Sequence, residues 1–225
     1  MNIAIIGGGP AGLSAAIQLS KNVKNVTLYE VFSIGENIIC AEGFFDFYGD
    51  LDIDLPLAMK ISKIIVQDDE NIEINLPKSS KFFTFDRANW QKQLKQTALS
   101  QGVILKENIK VDKSLLIELQ KNNDYVIDAT GVKGASHFMF SKKDVSSYRK
   151  GLMPTYQYTL KGDFSDCEGC IKVIILNKPA GYYWFFPKTV DEKITLANVG
   201  VGFLAKSAKI PNLKTLLNEL IHKEK

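Results

Sequence analysis

The order of apolar and polar positions predicts a strand, a helix and a second strand at the start of the chain. Residues 2–6, NIAII, form a short apolar run with the length and composition of a buried parallel strand. After the glycine-rich GGGPAG, Leu13 and Ile17 recur at helical spacing on one face. Residues 26–30, VTLYE, return to a strand pattern that ends in Glu30. These stretches together predict a βαβ unit.

The middle of the chain continues the alternation of helix and strand. Asp86 is a good N-cap residue, and Trp90 and later apolar residues recur at helical spacing until Gly102. A strand is predicted over 103–111. The run DYVIDATG predicts another strand, whose final Gly131 brings the backbone to the carboxyl edge of the sheet, where ligands bind in open α/β folds.

A second group of segments is rich in β-branched and aromatic residues and predicts an antiparallel sheet. These segments are KIIVQDDENIEINLP, GLMPTYQYTLKGD, CIKVIILN, YYWFFPK and ITLANVGVG. The predicted fold class is therefore α/β, a Rossmann-like domain with an added antiparallel β-sheet. The predicted domains are residues 1–58 and 80–135 for the Rossmann-like part, 59–79 and 136–206 for the sheet, and 207–225 for an amphipathic helix.

The amphipathic helix carries its apolar residues on one face, which are Leu213, Leu216, Leu217, Leu220 and Ile221. Such a stripe is typical of core packing, and packing is the prediction here. The lysines around it leave a helix lying on a membrane surface as the alternative, with peripheral membrane contact as its consequence.

The stretch GYYWFFPK holds five consecutive aromatic residues. Because side chains alternate along a strand, Tyr183 and Phe185 are predicted on one face and Tyr182, Trp184 and Phe186 on the other. We expect one face to pack in a core.

Composition narrows the classes of function. The 225 residues are 45% apolar and 24% charged, which is typical of a soluble globular protein. The net charge of +3 comes from dispersed lysines without a basic block, so nothing indicates nucleic acid. The apolar N-terminus lacks a basic leader, and a cytoplasmic location is expected.

The chain has three cysteines, Cys40, Cys167 and Cys170. The last two form a lone CxxC, and a structural zinc site needs two further ligands that the neighbouring sequence does not offer. A turn between strands is the favoured interpretation, and no metal is predicted. With two histidines and no nucleophile elbow, hydrolase chemistry has little support.

The glycines of GGGPAG satisfy the dinucleotide fingerprint. Gly7 permits the tight turn from strand to helix, Gly9 lets the backbone approach a pyrophosphate, and Gly12 lets the helix pack closely on the strand. The helix N-terminus offers free amides to the phosphates, and Glu30 accepts hydrogen bonds from the ribose hydroxyls. A dinucleotide site is therefore predicted, and the motif by itself leaves both FAD and NAD open.

Two further segments carry a resemblance to a known family. They are IGENIICAEGFF, similar to the family's IG…CGEG segment, and GYYWFFPK followed by ANVGVG, similar to its YxWxFP…GxG signature. With GGGPAG they resemble the geranylgeranyl reductase family, which includes the archaeal digeranylgeranylglycerophospholipid reductases, within the p-hydroxybenzoate hydroxylase superfamily of FAD-dependent oxidoreductases. The resemblance covers about the first 205 residues.

The resemblance implies FAD as the cofactor and assigns residues to it. Gly12 and Glu30 belong to the ADP half, and Arg87 contacts the phosphate or ribityl region. The remaining contacts implied by the family are Cys40, Ala41 and Gly43 near the reactive ring and Val111 at the adenine. The resemblance also implies that the antiparallel sheet roofs the flavin, and that Tyr182, Trp184 and Phe186 line a channel for a prenyl chain.

The activity implied is reduction of isolated double bonds in geranylgeranyl or other prenyl chains, in lipid and phospholipid biosynthesis. Cys40 is either the proton donor or a small contact that shapes the pocket. The implied partners are a prenylated lipid and an electron donor, NAD(P)H or ferredoxin. A flavin monooxygenase and a non-catalytic FAD- or lipid-binding module remain as alternatives.

The sequence departs from the family pattern at several places. Position 41 is Ala where the family often has Gly, and the spacer after Pro187 suggests an extended hairpin at TVDEK. The strands that the family has between 103–111 and DYVIDATG are reduced to about one segment, KSLLIELQ. The family's later GDAAG-like segment does not occur. A truncated or split protein, lacking a C-terminal half, and a natural short relative are the two expectations.

Overall fold

A computed structural model describes residues 1–46, 54–140, 142–190, 193–204 and 210–223 of the chain. The helices are α1 Pro10–Ser20, α2 Arg87–Ser100, α3 Lys113–Asn122, α4 Lys142–Lys150 and α5 Leu213–Lys223. The strands are β1 Asn2–Ile6, β2 Asn25–Tyr29, β3 Gly43–Asp46, β4 Met59–Lys60, β5 Lys63–Gln67, β6 Asn71–Asn75, β7 Lys81–Thr84, β8 Ile104–Lys106, β9 Tyr125–Asp128, β10 Thr155–Lys161, β11 Cys170–Asn177, β12 Ala180–Val190 and β13 Lys193–Phe203.

The chain forms two compact units, each built from two separate segments. The first unit holds Met1–Ile38 and Arg87–Ser146, and the second holds Ile39–Asp86 and Ser147–Lys225. The predicted first domain extended to residue 58 and began again at residue 80. The unit boundaries lie elsewhere because β3 and β4 both pair with β7 in a small antiparallel sheet, which keeps these segments together.

The first unit contains the predicted βαβ arrangement. Its sheet has the order β8-β2-β1-β9, and every neighbouring pair is parallel. The apolar run at the N-terminus is buried because β1 lies between two other strands. On one side of the sheet, Leu13 and Ala16 of α1 pack against Ile3, Ile5 and Leu28. The Rossmann-like part of the predicted fold class is confirmed.

Two segments of the first unit differ from the sequence-based expectation. The strand predicted over 103–111 ends at Lys106, because the chain turns at Asn108, which adopts a φ of 59°. KSLLIELQ, which was expected to replace a strand meander, lies in the helix α3 instead. Asp112 caps that helix by accepting a hydrogen bond from the Leu115 amide at 2.9 Å.

The second unit contains a six-stranded sheet in the order β10-β13-β12-β11-β5-β6. Four of its five neighbouring pairs are antiparallel, including the β5–β6 hairpin, which confirms the added antiparallel sheet. The pairing of β5 with β11 is parallel. This one parallel pair joins the early hairpin to the later strands, and no local sequence pattern predicts it.

The longest hairpin joins β12 to β13, in which Val190 pairs with Lys193. The two central residues of the predicted TVDEK turn, Asp191 and Glu192, lie outside the described residues. The register of the hairpin shifts between Lys188 and Thr189, where a bulge interrupts the pairing.

Helix α5 packs its apolar stripe against the second unit's large sheet. Leu217 is fully buried, in a cluster with Tyr183 of β12 and Val199 of β13, and the other four stripe residues pack around that cluster. This agrees with the prediction of core packing. In the described part of the chain, no helix combines the length and apolarity that crossing a membrane requires.

Candidate functional site

The turn between β1 and α1 is closely packed at two of its glycines. At Gly7, which has a φ of 106°, an added Cβ would lie 2.4 Å from the Ala129 carbonyl oxygen. At Gly12, an added Cβ would lie 1.9 Å from the Gly7 carbonyl oxygen. Both glycines therefore allow backbone segments of the first unit to touch each other.

Gly9 differs from these two glycines. A Cβ built on Gly9 would meet no described atom within 4 Å, and its backbone is extended, with φ −72° and ψ −179°. Gly9 is the N-cap residue of α1, and Pro10 begins that helix. The space in front of Gly9 is therefore open at a helix N-terminus, whose amides and dipole favour an anionic group such as a pyrophosphate.

Glu30 directly follows β2 and turns back towards the glycine turn. Its carboxylate accepts hydrogen bonds from the backbone amide of Gly8 at 2.5 Å and from that of Phe32 at 3.0 Å. These bonds fix the side chain at the carboxyl end of the sheet. A carboxylate has about four acceptor sites, so it can also accept from ribose hydroxyls.

Arg87 begins α2 and is connected to the same turn through Gln91. Its Nε donates to Gln91 Oε1 at 3.0 Å, and Gln91 Nε2 donates to the Gly8 carbonyl at 3.3 Å. Because Gln91 is buried, it holds the start of α2 against the glycine turn. The first unit thus brings the three fingerprint glycines, Glu30 and Arg87 to one edge of its sheet.

The two remaining predicted residues of the first unit lie outside the strands of its sheet and have different surroundings. Val111 packs against a cluster that includes Ala4, Ile6 and Tyr29. Gly131 follows β9 with a φ of 68°, and no described atom lies within 4 Å of its Cβ position.

Asp128, just before the predicted ATG stretch, organises the loop after β9. It accepts hydrogen bonds from the amides and hydroxyls of Thr130 and Ser136. Burial raises the pKa of this carboxyl, but the four hydrogen bonds outweigh that effect and bring its pKa below the ordinary value.

The second unit contains a cavity of about 630 Å³. It is lined mainly by apolar side chains, with a few amides and one thiol among them. The lining residues are Ile39, Cys40, Ala41, Met153, Thr155, Gln157, Val173, Ile175, Leu176, Asn177, Ala180, Gly181, Tyr182, Trp184, Phe186 and Leu204. Volumes of about 300–1,000 Å³ are typical of ligand sites.

The two faces of β12 have the separate surroundings that its alternation predicts. Tyr182, Trp184 and Phe186 line the cavity. Tyr183 and Phe185 point the other way, into the cluster that α5 covers. The aromatic run therefore contributes to a core on one face and to a cavity on the other.

Glycines of β13 and β3 make room for the aromatic rings of the cavity wall. A Cβ on Gly200 of β13 would lie 2.1 Å from Cζ2 of Trp184, and one on Gly43 would lie 2.9 Å from Cε2 of Phe186. Gly43, which the family resemblance assigned to the cofactor, thus lies directly under an aromatic ring in this structure.

A buried polar network, which the sequence analysis missed, holds the segment that carries Cys40. The Cys40 carbonyl accepts hydrogen bonds from Asn198 Nδ2 at 3.0 Å and Gln157 Nε2 at 3.3 Å. Two residues on, Glu42 forms a buried ion pair with Lys188. The available signal was the polar residue in each apolar strand: Asn198 in ITLANVGVG and Lys188 after the aromatic run.

The CxxC pair lies away from this cavity, at the start of β11. Cys167 lies in a short 3₁₀ turn after β10, and Cys170 begins the strand. Burial raises the pKa of both thiols, which favours the neutral form. Among the described residues, no group of three or more His, Cys, Asp or Glu side chains is placed to hold a metal ion.

Two family models match separate parts of the chain. The model of an FAD-binding domain matches residues 2–59. The model of the geranylgeranyl reductase catalytic domain matches residues 152–225, which contain β10 to α5. None of the curated proteins matches the chain significantly.

Solved structures share the fold at low sequence identity. A geranylgeranyl bacteriochlorophyll reductase-like protein from Thermoplasma acidophilum is 21% identical with a TM-score of 0.74, over 99% of this chain and 61% of that one. A variant of the halogenase PltM in complex with FAD is 14% identical with a TM-score of 0.66, over 99% and 55%. Tryptophan 6-halogenase from Streptomyces toxytricini is 14% identical with a TM-score of 0.64, over 98% and 61%.

The fingerprint turn and the FAD-binding model define the class of the N-terminal part, which is that of the FAD-binding domains. FAD is the cofactor of this class, and the open space at Gly9 with Glu30 beside it fits a dinucleotide. Within the class, the resemblance to the geranylgeranyl reductase family is confirmed by the match of its catalytic-domain model. The chain spans about three-fifths of the length of the Thermoplasma relative.

Proposed function

We propose that this protein reduces isolated double bonds of geranylgeranyl or related prenyl chains in membrane-lipid precursors. The observation that supports this most directly is the cavity beside β12. A prenyl chain carries no hydrogen-bonding group along its length, so burial against aliphatic and aromatic side chains supplies its binding energy. The cavity wall of Tyr182, Trp184 and Phe186 offers that surface.

The first unit supplies the residues that would hold FAD. Gly9 leaves open space where the pyrophosphate would lie, at the start of α1. Glu30, held by the Gly8 amide, would accept from the adenosine ribose, and Arg87 lies beside the glycine turn through Gln91. Gly7 and Gly12 keep the turn compact, and Val111 and Gly131 complete the predicted set. FAD bound there would supply, in its reduced form, a hydride for one alkene carbon, and the other carbon would need a proton.

Cys40 is the candidate for the residue closest to that proton transfer. It lines the cavity. Its sulfur accepts a hydrogen bond from the backbone amide of Glu42 at 3.3 Å, which orients the side chain. In one version Cys40 donates the proton to the alkene, and in the other it only shapes the wall beside Ala41. Cys40→Ser separates the two, because full alkene reduction by the variant would exclude proton donation by the thiol.

The experiment that tests the proposal uses the purified full chain and a prenylated lipid. The protein is reconstituted with FAD, reduced anaerobically with dithionite and incubated with a geranylgeranylated glycerolipid, and the products are analysed by mass spectrometry. We expect each reduced double bond to add two hydrogens. Unchanged lipid from a flavin-loaded protein would overturn the proposal.

The same preparation distinguishes the alternative functions. Oxygen-dependent NADPH consumption that a phenolic substrate stimulates would indicate a flavin monooxygenase. A protein that binds geranylgeraniol but never binds flavin would be a lipid-binding module. Replacing dithionite by NADPH, NADH or reduced ferredoxin identifies the electron donor, and vesicles of anionic lipid added to the protein test peripheral membrane contact.

A further inference from the structure

Asn198 is a polar side chain in the buried part of β13. Only 1% of it is exposed, and its neighbours Ala197 and Val199 are fully buried. Burial of an amide without partners is costly, whereas both polar atoms of this amide are bonded. Oδ1 accepts from Trp184 Nε1 at 2.8 Å, and Nδ2 donates to the Cys40 carbonyl at 3.0 Å.

The chemistry of the two partners determines the orientation of the amide. The indole of Trp184 can only donate, and the carbonyl of Cys40 can only accept. The amide oxygen therefore has to face Trp184, and the amide nitrogen has to face Cys40. No aliphatic side chain of similar size satisfies either partner, and a carboxylate satisfies only the indole.

Both partners of Asn198 belong to the wall of the cavity. Trp184 and Cys40 both line it. Between Cys40 and Glu42 the chain has no regular secondary structure, and Glu42 adopts a φ of 61°, which is unfavourable for a residue with a side chain. Hydrogen bonds to this segment, rather than a strand ladder, therefore determine where the thiol lies.

We propose that Asn198 is a positioning residue that sets the Cys40 segment and the Trp184 ring as one unit of the cavity wall. Gln157 assists as a second donor to the same carbonyl, at 3.3 Å. The inference deepens the proposed function, because it takes this cavity as the site that binds the prenyl chain. The positioning of Cys40 and Trp184 by Asn198 itself depends only on the contacts among these residues.

The decisive variant is Asn198→Asp. It keeps the size of the side chain and an acceptor for the indole, and it removes the donor to Cys40. The introduced carboxylate also repels the Cys40 carbonyl at neutral pH. In acid, the introduced carboxyl becomes neutral and regains a hydrogen that can be donated, so rescue at low pH is expected from positioning and not from packing.

The experiment measures the reactivity of Cys40 and the environment of Trp184. The parent carries Cys167→Ser, Cys170→Ser and Trp90→Phe, so Cys40 and Trp184 are its only thiol and indole. N-ethylmaleimide alkylation is followed from pH 5 to 8, and each variant is compared with the parent at the same pH. At neutral pH we expect Asn198→Asp to be alkylated about tenfold faster, the factor that one buried hydrogen bond is worth.

Further variants keep the result interpretable. Thr84→Val removes another buried hydrogen bond, from Thr84 Oγ1 to the Pro187 carbonyl, and should leave the Cys40 rate at the parent value. Asn198→Leu should speed alkylation and also shift the Trp184 emission. If the Asn198 variants do not fold, Gln157→Leu, at a less buried position, should still give a smaller increase in rate.

The outcomes separate this proposal from the proposed function. An Asn198→Asp rate equal to that of the parent, or an equal increase in Thr84→Val, would overturn the positioning role. Neither measurement needs FAD or lipid. Binding of geranylgeraniol, read from Trp184 fluorescence, should weaken about tenfold in Asn198→Asp. If the alkylation changes as expected but the parent binds no geranylgeraniol, the positioning role stands and the prenyl site does not.

Discussion

At the scale of single residues, the three glycines of the fingerprint have different structural roles. Gly7 and Gly12 are needed because backbone atoms of the protein itself occupy the space where a side chain would lie. Gly9 faces open space. The fingerprint GxGxxG therefore combines two packing requirements with one position that faces open space, and substitutions can tell them apart.

Gly9→Ala and Gly12→Ala form the first matched pair. Gly9→Ala should leave the apoprotein folded, with a small N-cap cost of about 1 kcal/mol or less, and should weaken FAD binding by about tenfold or more. Gly12→Ala should lower the stability of the apoprotein itself, by about 1–3 kcal/mol or more, because its methyl group meets the Gly7 carbonyl. Urea unfolding and flavin fluorescence titration measure the two effects. Parent-like FAD affinity in Gly9→Ala would show that the pyrophosphate lies elsewhere.

Gly200→Ala tests how closely the Trp184 ring packs against β13. A methyl group at this position would overlap the indole, so the ring has to move, at a cost of about 1–3 kcal/mol. Near-ultraviolet circular dichroism and binding of geranylgeraniol should both change. Gly202→Ala is the control on the same strand, where the nearest atom, Thr155 Cγ2, is 3.1 Å from the built Cβ and a small shift relieves the contact. Equal effects of the two substitutions would argue against close packing of the ring at Gly200.

At the scale of elements, β12 joins a core and a cavity in one strand. Its odd-numbered aromatic residues pack beneath α5, and its even-numbered ones line the cavity. Helix α5 therefore supports the cavity wall from behind, through Tyr183, which is 1% exposed. A substitution in α5 should therefore lower the free energy of unfolding more than it weakens ligand binding in the cavity.

Leu217→Ala tests the role of α5 in the core. Leu217 is fully buried, so the truncation should cost about 2–5 kcal/mol in the free energy of unfolding. The same substitution at Leu99 of α2, which is 43% exposed, should cost about 1 kcal/mol or less. Urea denaturation compares the two. A Leu217→Ala protein as stable as the Leu99→Ala one would mean that α5 does not form part of this core in solution.

Local pattern predicted the elements that carry strong periodicity and missed those that do not. NIAII, the helix after GGGPAG and the strands around YYWFFPK follow simple spacing rules, and the structure has them. The short strands β3, β4 and β7 have two to four residues each, too few for a period to show. Helix α4 is mostly polar, so KKDVSSYRK offers no apolar stripe.

The candidate site was predictable to the extent that its chemistry is local. The glycine turn, Glu30 and the cavity-facing side of β12 can be read from neighbouring residues. The contact of Asn198 with Cys40 joins residues far apart in the chain, and the pairing of β5 with β11 does the same. Only the three-dimensional fold brings such residues together, which explains why the polar network was missed.

At the scale of the whole molecule, carboxylates with lowered pKa values make the free energy of unfolding depend on pH. Burial raises the pKa of Glu107, but hydrogen bonds from the Ile34 amide and Lys95 outweigh it and lower the pKa below its ordinary value. The pKa of Asp128 is lowered in the same way, by hydrogen bonds from Thr130 and Ser136 that outweigh the effect of burial. A carboxyl with a lowered pKa stabilises the fold above its unfolded-state pKa, and this contribution is lost as the pH falls through the folded-state value.

The double variant Glu107→Gln, Asp128→Asn tests this dependence in the first unit. It should be less stable than the parent at neutral pH, and its free energy of unfolding should fall less steeply below pH 5, since it no longer has these protons to take up. Thermal melts between pH 3 and 7 measure the difference. Parallel curves for the variant and the parent would show that other groups control acid unfolding.

The parallel pairing of β5 with β11 affects how the protein folds while it is being synthesised on the ribosome. Once both strands have left the exit tunnel, β5 can pair with β6 on one edge, while its other edge has no partner until β11 is made, about a hundred residues later in the chain. At a synthesis rate of about 5–20 residues per second, the wait lasts roughly 5–20 s. During that time KIIVQ presents an open, apolar edge to other nascent chains. Slower growth at low temperature or a chaperone that covers this edge should therefore raise the yield of soluble protein.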